Sequence, residues 1–172
     1  MFKPYLGAVA AAALAVALTG CGGSEPKVAD AGSAAAPAEE QKQEEKSTEN
    51  LAVGTVVDLG DGLTLSVDSV ETVADYSGSN LIKATVTYKN GGDKTASYNF
   101  YDWKGEDANG AQESPTTYVG ANATTDDNAL QSGDLAAGGT KTGTLYFKDG
   151  TTKILYSGLS LTKEIKASWN VA

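Results

Sequence analysis

Histidine and arginine are both absent from this 172-residue chain, which carries a single cysteine. Without histidine there is no ready general base near neutral pH, no imidazole metal ligand and no physiological pH switch. A Ser-His-Asp triad is impossible, and a zinc site would need carboxylates alone. Without arginine the chain lacks the planar fork that grips phosphate or carboxylate with paired hydrogen bonds. One cysteine, Cys21, allows no internal disulfide, so a folded domain must rest on its packed core. The 22 acidic residues outnumber the 13 lysines to give a net charge of −9, which repels phosphate backbones and argues against a nucleic-acid partner. A Ser-Lys dyad or a carboxylate pair remains conceivable, but neither has a recognisable motif. No catalytic set, no cofactor motif and no metal site is expected, and the chain reads as a non-enzyme.

What is present is most informative at the start. Met1-Phe2-Lys3 is a short basic opening, residues 6–18 form an alanine-rich apolar run, and Leu18-Thr19-Gly20-Cys21 closes it. Small residues just before a lone cysteine, at the point where a signal peptide is cut, read as a bacterial lipoprotein processing site. The run is shorter than the roughly 20 residues that span a bilayer, and glycines and acids follow it rather than a basic flank. Residues 1–20 are thus expected to be a lipoprotein signal peptide. Cys21 would be the lipidated first residue, holding the protein on the extracytoplasmic face of the cell membrane. A diacylglyceryl cysteine supplies two acyl chains, enough for stable anchoring.

Residues 22–50 are mostly Gly, Ser, Ala, Pro, Glu, Gln and Lys, with Val28 the only large apolar residue. Such a composition cannot bury enough surface to offset chain entropy. A disordered acidic linker over 21–50 is expected, reaching on the order of 30 Å. From 51 to 172 the texture changes to short alternating segments separated by glycine and asparagine turns. Ile82, Ala84, Val86 and Tyr88 alternate with Lys83, Thr85, Thr87 and Lys89, the period of a half-buried strand. Residues 95–103 return after Asn90-Gly91-Gly92-Asp93, with Ala96, Tyr98 and Phe100 on one side, and the two segments read as a hairpin. A strand over 53–59, a turn at Gly60-Asp61-Gly62, and an inward face of Leu63, Leu65 and Val67 precede them. The apolar phase slips after Val67, predicting a bulge or sheet switch near Asp68-Ser69. Further strands fall around Leu145 and Phe147, around Ile154 and Tyr156 after an Asp149-Gly150 turn, and along Ile165, Ala167, Trp169 and Val171. The expected fold is all-β, an immunoglobulin-like antiparallel β-sandwich of about seven or eight strands, with a closed barrel as the alternative.

The ordered pattern also resembles a family. It runs from Val53-Gly54-Thr55-Val56-Val57 through Gly62-Leu63-Thr64-Leu65-Ser66-Val67 to Ala84-Thr85-Val86-Thr87-Tyr88-Lys89-Asn90. It continues in Asp107-Ala108-Asn109-Gly110, Leu135-Ala136-Ala137-Gly138-Gly139-Thr140 and Gly143-Thr144-Leu145-Tyr146-Phe147. This is similar to secreted Gram-positive domains of unknown function, whose sandwich is related to the mycobacterial immunoprotective extracellular protein. Ala137 and Gly139 depart from the family's usual proline and acidic residue. The resemblance implies the same fold and no agreed activity.

Two acidic loops and a set of aromatics are the remaining candidates. Residues 106–110 fail the EF-hand spacing, because Gly105 and Thr116 fall at ligand positions, and are expected to form an Asx-rich turn. Residues 124–128 are expected to be a solvated surface loop, with calcium as the alternative. If Tyr98 and Phe100 face inward, Tyr101 and Trp103 share the outer face, with Tyr118 and Tyr146 on surfaces nearby. Such a patch would suit a sugar ring or a protein, while the competing reading buries Trp103 or Trp169 in the core. The leading expectation is a non-catalytic module that binds an envelope or secreted protein. Glycan binding through the exposed aromatics is the alternative.

Overall fold

The computed structural model describes residues 27–28, 47–158 and 164–171. The expected signal segment, Cys21 and most of the linker lie outside the described residues. Eleven strands form among those described: β1 (Lys27–Val28), β2 (Val56–Asp58), β3 (Leu63–Ala74), β4 (Asn80–Asn90), β5 (Ala96–Tyr98), β6 (Trp103–Asp107), β7 (Gln112–Glu113), β8 (Gly133–Leu135), β9 (Thr140–Lys148), β10 (Thr151–Tyr156) and β11 (Ala167–Asn170). They build an antiparallel sheet in the order β1-β2-β3-β4-β9, a second in the order β11-β10-β6-β7, and a β5-β8 ribbon. The two larger sheets pack face to face as an immunoglobulin-like sandwich, the architecture expected from the turn spacing.

The alternation in β4 sets the core. Ile82, Ala84, Val86 and Tyr88 are buried, as are Leu65 and Val67 of β3 and Leu145 and Phe147 of β9. Opposite them stand Trp103, Ile154, Tyr156, Ala167 and Trp169 in one apolar cluster. The phase slip after Val67 is a bulge: register with β4 shifts between Val67 and Ser69. The displaced Asp68 accepts hydrogen bonds from Ser66 Oγ (2.5 Å) and Thr87 Oγ1 (2.7 Å).

Three expectations need correction. The strand read over 53–59 is only Val56–Asp58. The 82–89 and 95–103 segments do not form a hairpin, because both edges of β4 are taken, by β3 and β9. Asn90 turns the chain away instead. Its buried side chain donates to the carbonyls of Lys94 (2.7 Å) and Leu135 (2.9 Å) and accepts from Gly92 N, which steers β5 onto β8. The linker also contributes structure. Lys27–Val28 pairs with β2, and Thr48, Asn50 and Leu51 hydrogen-bond along β11 through Ser168 and Asn170. A polar segment gains order here through backbone bonds to an open sheet edge, which composition does not record.

Candidate functional site

A sandwich of this kind leaves much of the outer face of each sheet in water, but along half of β9 both faces are covered. Its residues Gly143 to Phe147 are all buried, those pointing outward as well as those pointing in. The cover is the segment 114–132. Thr116 N donates to Tyr146 O (2.7 Å), Leu130 N to Thr144 O (2.8 Å), and Thr144 N to Asn128 O (2.9 Å), so the free edge of β9 is bonded to irregular chain. Leu130, the only large apolar residue between 121 and 134, anchors that cover. It is 1% exposed, and a Cβ on Gly143 would stand 2.9 Å from its Cδ1. Glycine at 143 is what lets the leucine seat.

Asp126 ties the cover to the outward face. Its Oδ2 accepts from Thr144 Oγ1 (2.5 Å) and Tyr146 Oη (2.6 Å), and its Oδ1 accepts from Asn128 N (2.8 Å). Burial pushes the carboxyl pKa up, but the bonds from Thr144 and Tyr146, with Asn128 and the charge of Lys83, outweigh it and hold the group below its usual range. The Tyr146 hydroxyl is moved up, first by burial and then by donating to that carboxylate. Residues 124–128 are therefore not merely a solvated acidic loop. Residues 106–110 do form an Asx turn, with Asp107 Oδ1 accepting from Asn109 N (2.8 Å) and Ala111 N (2.9 Å).

Between this cover and the chain at 100–101 lies a cleft of about 410 Å³. It gathers three of the aromatics picked out in the sequence: Tyr101, Tyr118 and Tyr146 all line it. Tyr118 stacks on Tyr146 with ring centroids 4.6 Å apart and planes 11° from parallel. Tyr101 is 75% exposed, and its ring meets Phe100 edge-on at 5.3 Å. A 3-10 turn over Phe100–Asp102 holds it there. Asn99 Oδ1 caps that turn by accepting from Tyr101 N (2.9 Å), and also accepts from Ser132 Oγ (2.8 Å) of the cover. Trp103 is the correction. It does not share an outer face with Tyr101, because the 3-10 turn breaks the alternation, and its side chain is fully buried in the core. Trp169 is buried too.

Gly120 positions the second tyrosine. A Cβ there would lie 2.9 Å from Tyr118 Oη and 3.1 Å from its Cε1. The backbone, at φ −82°, accepts alanine without strain. Gly120→Ala is therefore expected to push Tyr118 off Tyr146 while changing unfolding free energy by less than about 1 kcal/mol. A crystal structure of the variant beside a urea melt checks both parts.

Asp102, which follows Tyr101 in the 3-10 turn, is 5% exposed, and burial lifts its carboxyl to about 6 against the pull of Lys166. The unfolded carboxyl titrates near 4. The folded state therefore favours the protonated form, and this group's contribution to stability falls as pH rises from about 4 through about 6. Asp102→Asn is expected to stabilise the protein by about 1–3 kcal/mol at pH ~7.5. The gain should shrink through pH ~4 and vanish near pH ~2.5, below the unfolded value, where both states are protonated. Urea midpoints at the two extremes test it.

Among the described residues no group of three or more acidic side chains is placed to hold a metal ion. The fold and cleft define a class: an immunoglobulin-like β-sandwich with an aromatic cleft on the outer face of one sheet. The chain belongs to the family described as "Domain of unknown function (DUF4352)", which matches residues 41–157. The family resemblance read from the strand and turn motifs is borne out. Among solved structures, the chain is similar to the yjhA protein of Bacillus subtilis, with 18% identity, 70% of this chain and 98% of that chain covered, and a TM-score of 0.54. The secreted protein MPT63 of Mycobacterium tuberculosis matches at 17% identity over 69% of this chain and 86% of its own, with a TM-score of 0.44. The ycdA protein of Bacillus subtilis matches at 13% identity over 65% of this chain and 37% of its own, with a TM-score of 0.49. No curated protein matches the chain.

Proposed function

We propose that this protein is a lipid-anchored, extracytoplasmic, non-catalytic binding module whose ligand site is the tyrosine cleft on β9. The observation that carries this reading is the convergence of Tyr101, Tyr118 and Tyr146 in one concavity, built where the fold would otherwise expose a flat sheet. Its volume falls within the range of about 300–1,000 Å³ usual for ligand sites. The chemistry of the cleft favours binding over turnover. Its one carboxylate, Asp126, is held ionised by three hydrogen bonds, and the tyrosine it accepts from is harder to ionise than usual. Neither group is poised to exchange a proton near neutral pH. Anchoring through Cys21 rests on the signal-like segment before it, and Cys21→Ala should move the protein from the membrane to the soluble fraction.

The test of the site is retention of envelope components. The chain, solubilised from its host membrane in detergent, is immobilised and exposed to envelope and secreted fractions. The same is done with Tyr101→Ala/Tyr118→Ala. Loss of a specifically retained component in the double variant is the expected result. Equal retention by both would refute the cleft as the site.

A further inference from the structure

Resting on the reading of the cleft as a ligand site, we infer that what it takes is an uncharged carbohydrate ring, stacked on tyrosine and hydrogen-bonded by hydroxyls. Three features of the lining select this chemistry. The first is its polar inventory. Thr116, Thr117 and Thr125 line the cleft with exposed hydroxyls, beside Ser132 and Thr144, whose hydroxyls already donate to Asn99 and Asp126. A hydroxyl both donates and accepts, which is what a ring of neighbouring hydroxyls requires of its partner.

Charge is the second feature. Among the described residues no lysine lines the cleft, and Lys83, whose charge reaches Asp126, is already paired with Glu71 at 2.9 Å, so an anionic ligand finds no free counter-charge there. The one acid is Asp126, and both of its oxygens already accept, from Asn128 N on one side and from Thr144 and Tyr146 on the other. A cation entering would compete with bonds that hold the cover in place.

The third feature concerns the backbone. Thr116 N and Leu130 N already donate to the carbonyls of Tyr146 and Thr144, and Thr144 N donates to Asn128 O. The edge of β9 beside the cleft is therefore closed to an extended peptide seeking strand pairing. What remains open is a concavity with aromatic and hydroxyl walls. Tyrosine rings pack against the C–H face of a pyranose as they do against other apolar surfaces, and the exposed Tyr101 brings a hydroxyl to its polar rim, while those of Tyr118 and Tyr146 already donate to Ala74 O and Asp126. Asn99 and Ser132 keep Tyr101 in place from the far wall.

The test is an isothermal and amide-shift titration of the detergent-solubilised chain with three probes: a neutral chito-oligosaccharide and malto-oligosaccharide series, choline, and an acidic oligosaccharide. The expected result is saturable binding of a neutral saccharide, weak and on the order of 0.1–1 mM in Kd. Tyr101→Ala should weaken it by about tenfold or more, while Tyr101→Phe retains most of it. Tyr76→Ala, which removes an exposed tyrosine outside the cleft, should leave it unchanged. Binding should also hold between low and high salt, since no charge pair is screened. Choline or the acidic saccharide binding in place of the neutral series, through the same tyrosines, overturns the ligand class and leaves the cleft as the site. No probe binding, while Tyr101→Ala/Tyr118→Ala still abolishes retention of an envelope protein, does the same. Saccharide binding that ignores Tyr101→Ala and Tyr118→Ala, or a total absence of binding and retention, overturns both.

Discussion

Trp103→Ala is expected to destabilise the protein by about 3–5 kcal/mol, enough to leave a large unfolded fraction at physiological temperature. The side chain has no exposed surface and stands where the two sheets meet. Its ring lies 5.2 Å from that of Tyr156 and 5.9 Å from that of Trp169. Its indole N–H donates to Tyr88 Oη at 2.8 Å, so the one polar atom of the ring is satisfied across the core. Removing the ring opens a cavity bordered by three aromatics that cannot all collapse into it. Trp103→Phe should cost less, because it keeps most of the volume. Tyr88→Phe should cost about 1–3 kcal/mol by leaving the indole donor buried without an acceptor. Urea unfolding followed by far-UV circular dichroism measures all three. A Trp103→Ala loss below about 1 kcal/mol would mean that the ring is not the keystone of this core.

Leu130→Ala should cost about 2–5 kcal/mol, with a signature that Trp103→Ala lacks. Leu130 is a core residue supplied by irregular chain, seated against Gly143 on β9. Truncating it removes the main apolar anchor of the C-terminal half of the 114–132 cover, leaving Asp126, the edge bonds of β9 and the Tyr118–Tyr146 stack to hold the segment. Exchange of the Thr116 and Leu130 amides, which bond to Tyr146 and Thr144, should accelerate more than that of amides in the β3–β4 ladder. Gly143→Ala attacks the same contact from the other side, since its Cβ would lie within 3.0 Å of the Leu130 Cβ and Cα. Native-state hydrogen exchange distinguishes a cover that opens on its own from a domain that loosens throughout.

These two side chains also mark what the sequence revealed and what it hid. The inward faces of β3, β4 and β9 were legible because a strand with one buried face must alternate, and Ile82 to Tyr88 do so without interruption. The bulge at Asp68 was legible as a change of phase. Pairing was not, because alternation says which face is buried and nothing about which strand lies beside it. The chain after β4 is diverted by a single buried asparagine, Asn90, whose type alone suggests only a turn. Of the two readings of Trp103, the core one holds; the outer-face one fails because counting by twos from Tyr98 assumes a continuous strand, and the 3-10 turn at Phe100–Asp102 resets the count. Tyr101, Tyr118 and Tyr146 were identified as candidates, but their meeting in one cleft depends on 114–132 folding back over β9. The one signal for that return is Leu130, a large apolar residue alone in a polar stretch. Asp126 looked like part of a solvated loop, since its partners Thr144 and Tyr146 are distant in the chain.

The central claim, that the tyrosine cleft is where this protein meets its ligand, is tested most directly by mapping backbone amide shifts in the detergent-solubilised chain as host envelope extract is added. Changes concentrated at 100–101, 116–118, 125–132 and 144–146 are predicted. Changes confined to another surface, such as the β2 edge or the β6–β7 turn, with the cleft amides unmoved, would contradict it.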